Sequence, residues 1–402
     1  MSHGLVIVLG VAAAIPLLLG LMPRLRMPGA LVEIVAGVLI GPAVLGWVRT
    51  DEAIGVLAAL GLSFLLFLAG FEVDVRRFRG KVGRHVAAGL IASVALAGGI
   101  GIAFSAMGMR GGLFIAIALL ATSLGLVIPI LADAGALHRP AGVLAVAGAS
   151  AGEVAAVAAL SLGAGGMDTS LTGRLLLLGL LLALLVVVGM VIVGAEHVGR
   201  FTRLINRLSD TTAQIRIRLT VLLVAGFAVA AERLGFEAIL GAFLAGILLR
   251  TLDPDPEHSH PRYPVKLDAI GFGLLIPVFF ITSGLNLDVD GLMENPSALA
   301  GVPLFVLALL LVRGLPAFAF HRDLPGRELL AVGLLQATSL PFLLTVAMIG
   351  TQMGILEEAT ATALVAAGIV SVLIFPFLAL RLLASRDAEG SMSTTELDGM
   401  LR

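Results

Sequence analysis

Two ionisable residues and a repeated tetrapeptide carry the chemistry of this sequence. Glu153 lies in the apolar stretch AGASAGEVAAV, and Arg313 lies in the apolar stretch LALLLVRGLPA. The letters ATSL occur at residues 121–124 and return at residues 337–340. A carboxylate binds protons and cations, a guanidinium carries a permanent positive charge, and hydroxyl groups offer neutral oxygen ligands. Together these groups indicate an ion-binding site, provided that the elements around them bring them together.

Composition decides what kind of element can hold these residues. Of the 402 residues, 59% are hydrophobic and 13% are charged, which is typical of an integral membrane protein. The apolar segments are about 20 residues long, enough to cross a hydrocarbon core of roughly 30 Å as α-helices. We therefore predict an all-α integral membrane protein. The absence of cysteine excludes thiolate chemistry, and the net charge of -1 gives no indication of a nucleic-acid partner.

Breaks in hydropathy predict about thirteen transmembrane helices. They lie near residues 4–22, 28–48, 53–71, 86–108, 112–132, 141–164, 174–195, 215–234, 236–249, 267–287, 298–320, 328–350 and 359–383. Basic residues concentrate in the loops after odd-numbered spans, with clusters at residues 76–84 and 200–218. By the positive-inside rule, these loops are cytoplasmic. The sequence therefore predicts a multi-pass protein of the cell (inner or plasma) membrane, with the N-terminus outside and the C-terminus cytoplasmic.

The two ATSL stretches fall in spans five and twelve, seven spans apart. If spans one to six and eight to thirteen are two copies of one unit, these spans are equivalent, and the odd offset makes the repeat an inverted one. We predict a single transmembrane unit over residues 1–384, with repeat 1 at about 1–165, a linker helix at about 174–195 and repeat 2 at about 214–384. Residues 385–402 are predicted to be a short cytoplasmic tail, too short for a regulatory domain.

Both repeated stretches predict interrupted helices. Pro129 and Pro341 lack the backbone donor that a helix needs, and they are the predicted break positions. The neighbouring hydroxyl side chains can satisfy freed backbone groups; they are Thr122, Ser123, Thr338 and Ser339. Broken spans are tolerated in a bilayer only inside protein or beside a water-filled cavity. Two such helices that cross at their breaks would point half-helix ends at one place, as an ion site requires. The alternative is that each stretch is only a kink in a packed helix.

Glu153 and Arg313 lie close to mid-span, where ionisable residues indicate function. Glu153 is in span six, directly after the first broken helix, and Arg313 is in span eleven, directly before the second. A structural salt bridge between them is the alternative interpretation. Glu33 begins span two and is predicted to be a structural or gating residue.

Metal and hydrolase chemistry receive little support from the sequence. The run DPDPEHSHPRY at residues 253–263 contains Asp and His, but its prolines and loop position favour a flexible segment over a metal site. No histidine lies near mid-span, which argues against an intramembrane hydrolase with a histidine base. We therefore predict no metal site, no cofactor and no enzymatic activity.

Five longer motifs carry a resemblance to a known family. They are RMPGALVEIVAGVLIGPAVLGWV (26–48), LGLSFLLFLAGFEVDVRRFRG (60–80), LLATSLGLVIPILADAGALHRPAG (119–142), FEAILGAFLAGILL (236–249) and IPVFFITSGLNLDV (276–289). Over nearly all of its length, the chain resembles the monovalent cation:proton antiporter 2 family, which includes bacterial sodium/proton antiporters and potassium-efflux systems. The resemblance implies a core domain with crossed broken helices, a separate dimerisation domain, a homodimer and elevator-like alternating access.

The resemblance also implies that span six supplies the ion-binding carboxylate. Most members carry an Asp there, preceded by Asp, Asn or Gln, whereas the matching pair in this chain is Gly152 and Glu153. Many members carry a lysine in span eleven, where this chain has Arg313. The expected activity is exchange of Na+ or K+ for H+ across the lipid bilayer. Glu153 would hold either ion with help from five oxygen-bearing residues, namely Thr122, Ser123, Ser150, Thr338 and Ser339.

One exchangeable carboxylate implies one cation per proton and electroneutral exchange, because the guanidinium of Arg313 stays charged. Two other functions stay open at this stage. The first is proton-coupled export of an organic compound on the same scaffold, with Gly152 making room for it. The second is an uncoupled, channel-like cation pathway.

Overall fold

The fold was analysed in a computed structural model that describes residues 3–21, 28–73, 80–133, 135–137, 139–164, 171–197, 208, 211, 213–253 and 262–400. Every regular element in these ranges is helical. The helices up to residue 164 are α1 (His3–Leu21), α2 (Gly29–Ile40), α3 (Glu52–Glu72), α4 (Gly80–Ala106), α5 (Gly112–Leu120), α6 (Leu124–Asp133) and α7 (Pro140–Ala164). Basic residues 76, 77, 79, 200, 203 and 207, which support the predicted orientation, lie outside the described ranges.

The remaining helices lie after residue 164. They are α8 (Leu171–His197), α9 (Ile215–Arg233), α10 (Ala238–Leu252), α11 (Arg262–Leu285), α12 (Val289–Glu294), α13 (Pro296–Leu309), α14 (Gly326–Gln336), α15 (Pro341–Gln352) and α16 (Glu358–Met400). A π-helical turn, Gly271–Leu275, lies inside α11. A second π-helical turn, Leu310–Gly314, follows α13 and continues as a 3-10 turn, Leu315–Phe320.

The all-α membrane class is confirmed by these helices. Within the described ranges, nine helical segments are long and apolar enough to cross a membrane, and three shorter apolar helices accompany them. Together they account for twelve of the thirteen predicted spans. The remaining span coincides with α9, whose mean hydropathy is lowered by Arg216 and Arg218. The number of helices that cross the bilayer stays a prediction.

Local sequence explains where several helices begin. Asp51 caps α3, because its Oδ1 atom accepts a hydrogen bond from the backbone N–H of Ile54 at 2.9 Å. Gly111, at a φ of 75°, provides the left-handed turn before α5. Pro341 is the first residue of α15, a position where the missing backbone N–H of proline has no helical partner to lose.

The chain divides into two compact units that do not follow the predicted repeat boundaries. The first unit is Met1–Val75 with Val157–Val289, and the second is Arg76–Ala156 with Asp290–Arg402. Each unit therefore combines half of predicted repeat 1 with half of predicted repeat 2. The second unit contains both ATSL stretches.

Helices α2 and α11 of the first unit cross in backbone contact at two glycines. An ideal Cβ atom on Gly37 would lie 2.1 Å from the carbonyl oxygen of Ile281, three residues before Gly284. An ideal Cβ on Gly284 would lie 2.1 Å from the carbonyl oxygen of Ile34, three residues before Gly37. Only glycine permits this approach, because both obstacles are backbone atoms.

Helices α10 and α3 repeat the same arrangement. An ideal Cβ on Gly246 would lie 2.1 Å from the carbonyl oxygen of Phe67, three residues before Gly70. An ideal Cβ on Gly70 would lie 2.1 Å from the carbonyl oxygen of Phe243, three residues before Gly246. The inverted repeat makes α2 equivalent to α10 and α11 equivalent to α3. The crossing of α2 with α11 is therefore equivalent to the crossing of α10 with α3, as expected for an inverted repeat.

The last helix continues into the predicted C-terminal tail, since α16 runs to Met400. The cytoplasmic location of residues 385–402 stays a prediction. Adding a residue to an existing helix is much easier than nucleating a new one, which explains why a polar segment can extend this span.

Candidate functional site

The two ATSL stretches form the centre of the candidate site in the second unit. Helix α5 ends at Leu120 and α6 begins at Leu124, so that the first interruption covers residues 121–123. Helix α14 ends at Gln336 and α15 begins at Pro341, so that the second interruption covers residues 337–340. The predicted pair of discontinuous helices is thus present.

The two interruptions contact each other directly. The backbone N–H of Ser123 donates to the carbonyl of Thr338 at 3.0 Å, and the hydroxyl of Thr122 donates to the carbonyl of Gln336. Thr122, Ser123 and Thr338 are buried. Each interruption therefore satisfies backbone groups of the other, which is how irregular backbone is stabilised inside a membrane protein.

One predicted break position is wrong. Pro129 lies within helix α6, six residues after Ser123, and not at the interruption. The first interruption is instead placed by hydrogen bonds from Thr122 and Ser123 to the second interruption. Pro341, in contrast, lies directly after the second interruption, at the start of α15.

Glu153 reaches the first interruption from α7. Its side chain is buried, with 6% of its surface exposed, and its Oε2 atom accepts a hydrogen bond from the backbone N–H of Leu124 at 3.4 Å. Leu124 is the first residue of α6, so the carboxylate faces the positive end of that helix dipole. The negative charge of Glu153 therefore complements the positive end of a half-helix.

Arg313 is the largest fully buried side chain of the described residues, with 2% of its surface exposed. It lies in the π-helical turn after α13, a kind of turn that is frequent at functional sites. Its Nε atom donates to the Thr122 hydroxyl at 2.9 Å, Nη1 to the Ser93 hydroxyl at 3.1 Å, and Nη2 to the Gly148 carbonyl at 2.7 Å. Three different segments thus fix the guanidinium, and Glu153 attracts it electrostatically.

The position of Gly152 is not an open space in the structure. An ideal Cβ atom there would lie 2.3 Å from Nη2 and 2.5 Å from Cζ of Arg313. The guanidinium therefore fills the space in which other family members are expected to have a polar side chain. The room that an organic substrate would need at Gly152 is occupied.

The second interruption carries hydroxyl groups and no acid. The Thr338 hydroxyl donates to the carbonyl of Leu334 at 3.1 Å. Ser371 of α16 accepts a hydrogen bond from the backbone N–H of Ser339 at 3.2 Å, and its hydroxyl lies within donating distance of the carbonyls of Ser339 and Gly368, at 3.0 and 2.7 Å. The Ser339 Oγ atom is buried and has no hydrogen-bond partner within the described part of the chain.

Sequence reasoning missed two residues of this cluster. Ser93 of α4 and Gln336 of α14 are both buried, and both contact groups of the predicted site. Neither carries a charge, and no motif distinguishes them. Ser150, which was predicted, lies on α7, where its hydroxyl donates to the carbonyl of Val146 at 2.9 Å.

Glu33 lies apart from this cluster in sequence and belongs to the first unit. It is on α2 with 8% of its surface exposed, and its gating role stays a prediction. Glu237 lies in the turn before α10 and is half-buried, whereas its neighbour Glu232 is exposed.

The described residues contain no group of three or more histidine or acidic side chains that could hold a metal ion. Of the loop with metal-like spacing, residues 254–261 lie outside the described ranges.

Two relatives in sequence and one solved structure are similar to this chain. YjbQ of Bacillus subtilis is 30% identical over 383 residues, which cover 92% of this chain and 61% of YjbQ. The Na(+)/H(+)-K(+) antiporter GerN of Bacillus cereus is 25% identical over 359 residues, covering 88% of this chain and 89% of GerN. The structure of the sodium proton antiporter MjNhaP1 from Methanocaldococcus jannaschii matches with a TM-score of 0.61 at 16% identity, covering 95% of this chain and all of that one.

The structural match shows the fold, and the sequence matches show the family. Residues 10–383 match the family described as the transmembrane sodium/hydrogen exchanger. This match covers nearly the whole chain and confirms the resemblance that the five motifs indicated. The chain belongs to the sodium/hydrogen exchanger family.

Proposed function

We propose that this protein exchanges one monovalent cation, Na+ or K+, for one proton, and that both ions bind in turn to Glu153. The observation that carries the proposal is a buried carboxylate at the positive end of α6, where two interrupted helices cross. An acid in this place can hold a proton, or it can hold a cation that has lost part of its water shell. Similarity to the Na(+)/H(+)-K(+) antiporter GerN and to the sodium proton antiporter MjNhaP1 supports this activity.

The oxygen atoms near Glu153 would replace the water of the bound cation. Thr122, Ser123 and Ser150 supply them near the first interruption, and Thr338 and Ser339 near the second. Hydroxyl and carbonyl oxygens suit monovalent cations, because they are neutral and leave the charge balance to the carboxylate. The unpartnered hydroxyl of Ser339 is available for such a ligand.

The fixed guanidinium makes the charge of the site equal in both loaded states. A proton and a monovalent cation each neutralise Glu153, whereas Arg313 keeps its positive charge throughout. The exchanger would therefore carry the same charge in both directions, and exchange would be electroneutral. A single titrating carboxylate beside a tightly held guanidinium supports a stoichiometry of one cation per proton.

The occupied space at Gly152 favours a small inorganic ion over an organic compound as the substrate. We further propose that the protein resides in the cell membrane as a homodimer, with its N-terminus outside and its C-terminus in the cytoplasm. The second unit, which holds the crossed helices, would act as the moving core. These assignments follow from the family resemblance and from the basic loops.

Replacement of Glu153 by Gln tests the proposal. Glutamine keeps the shape of the side chain but cannot bind and release a proton at neutral pH, so we expect cation-dependent proton movement to fall to the level of vesicles without the protein. The measurement is the recovery of fluorescence of a pH-sensitive dye in inverted vesicles after addition of NaCl or KCl. Glu232→Gln is the matched control, because this exposed glutamate undergoes the same chemical change.

Retention of exchange in Glu153→Gln would disprove the assignment of the carboxylate. A voltage-sensitive dye in the same vesicles tests the stoichiometry, and no response is expected during exchange. Cation flux without counter-movement of protons would instead favour the channel-like pathway. Proton movement driven only by organic compounds would favour the exporter.

A further inference from the structure

Two glycines on one face of α7 receive polar side chains from the second half of the chain. Gly148 and Gly152 are four residues apart, so they lie one turn from each other on the same face of the helix. An ideal Cβ on Gly148 would lie 2.1 Å from Nε2 of Gln336, and one on Gly152 would lie 2.3 Å from Nη2 of Arg313. We call this pair of positions the glycine notch.

The notch both admits the guanidinium and binds it. Nη2 of Arg313, the atom that an added side chain at Gly152 would displace, donates to the carbonyl of Gly148 at 2.7 Å. Removing this contact would leave a charged donor buried without a partner, and such a group is strongly destabilising. The position of the positively charged Arg313 side chain relative to α7 thus depends on the same two glycines.

A backbone atom also limits the space at Gly152. An ideal Cβ there would lie 2.9 Å from the carbonyl oxygen of Leu120, the last residue of α5. A side chain at position 152 is therefore hemmed in between the guanidinium and the end of the interrupted helix. Moving α7 to make room would displace Glu153, the next residue, from the N-terminus of α6.

We propose that Gly152 is a specificity-determining position: its missing side chain is the space that Arg313 fills, so that residues 152 and 313 act as one unit that positions the charge beside Glu153. For its effect on transport, this inference rests on the proposed function of Glu153. It implies that a side chain added at position 152 of this chain displaces the guanidinium of Arg313. The transported cation then finds no side-chain ligand at residue 152.

A double-mutant cycle on Gly152→Ala and Arg313→Lys tests the coupling. Lysine ends in one ammonium group and lacks the second terminal nitrogen that the added methyl group would meet. We expect Gly152→Ala alone to lower the melting temperature in detergent and to reduce exchange at least tenfold. In the double variant, the loss from Gly152→Ala should be smaller than in the wild-type background. Gly99→Ala in α4 is the control, because its added methyl group would meet nothing within 4 Å.

The pH profile of exchange separates a positioning role from a purely structural one. Glu153 and Arg313 are the ionisable groups of this cluster, whereas Ser93, Thr122 and Gln336 do not titrate. A displaced guanidinium stabilises the negative carboxylate less, so the half-maximal exchange rate of Gly152→Ala should occur at more alkaline pH than in the wild type. The double variant should shift this pH back towards that of the Arg313→Lys variant.

Two results would overturn the inference. One is a Gly152→Ala variant with the melting temperature and pH profile of the wild type. The other is additive losses in the double variant, which would show that the two positions do not interact. The melting temperatures need no transport, so they test the coupling even if the wild type shows no exchange. In that case it is the proposed function that fails.

Discussion

Thr122 joins the interrupted helices to the buried arginine through one hydroxyl group. That hydroxyl donates to the carbonyl of Gln336 and accepts from Nε of Arg313 at 2.9 Å. The Thr122 hydroxyl therefore makes one hydrogen bond as a donor and one as an acceptor. Serine can reproduce both bonds, whereas valine, with nearly the same shape, can reproduce neither.

We expect Thr122→Val to lower the free energy of unfolding by about 1–3 kcal/mol, because it leaves a buried carbonyl and a buried charged donor unsatisfied. Exchange should fall with it, since Arg313 loses one of its fixed partners. Thr122→Ser should retain stability and exchange. Denaturation in detergent and dye recovery in vesicles measure the two effects. Equal stability of the Val and Ser variants would mean that the hydroxyl group does not hold the crossing.

At this scale, the sequence predicted the charged residues of the cluster but not the groups that surround them. Glu153 and Arg313 were visible because ionisable residues are rare in apolar spans. Ser93 is 220 positions from Arg313 in sequence, and nothing in its neighbourhood distinguishes it. The function of Gly152 is steric and depends on a partner that only the fold places beside it.

Among the helices, the position of the first interruption shows what local rules can miss. Because proline lacks a backbone N–H, the sequence predicted a break at Pro129. In the structure, helix α6 contains Pro129, and the interruption lies before α6, at residues 121–123. Tertiary hydrogen bonds from Thr122 and Ser123 determine the break, and they depend on a segment more than 200 residues away. The π-helical turn that carries Arg313 has no known sequence signal either. The existence of two interrupted helices, by contrast, followed from the repeated ATSL letters.

The paired glycine crossings predict matched effects of mutation. Gly37→Ala and Gly246→Ala each place a methyl group 2.1 Å from a backbone carbonyl, so the crossing helices must separate. We expect each variant to lose about 1–3 kcal/mol of stability, the typical penalty of overpacking. Gly226→Ala in α9 is the control, because its methyl group would meet nothing within 4 Å.

Thermal unfolding in detergent measures all three variants. A large loss in only one of the two crossing variants would show that the crossings are not equivalent, despite their geometry. No loss in either would mean that the helices separate without penalty.

For the molecule as a whole, hydropathy predicted the helical membrane architecture, and the offset between the ATSL stretches predicted an inverted repeat. The division into two compact units did not follow from either pattern, because each unit takes helices from both halves of the chain. Such mixing is a property of long-range packing, and it leaves no mark in a single sequence. The orientation in the membrane likewise rests on loop charges alone.

The absence of cysteine makes orientation easy to test. Arg110 lies in the exposed loop after α4, and Arg322 lies in the exposed loop before α14. With the predicted orientation, a membrane-impermeant maleimide should label Arg110→Cys in intact cells. It should label Arg322→Cys only after permeabilisation. The reverse pattern would invert the proposed topology, and the cysteine-free wild type provides the background.

The bond between Ser123 and Thr338 links main-chain atoms alone, and every amino acid except proline can supply both the N–H and the carbonyl group. A junction built in this way tolerates changes in the groups attached to it. Substitutions at residues 338 and 339 therefore leave this bond in place, so they can test the proposed contribution of both hydroxyl groups to ion preference. The main-chain bond holds the two interruptions together, and the side chains of residues 338 and 339 take no part in it. The second interruption is therefore a suitable place for substitutions that aim to change the proposed ion preference.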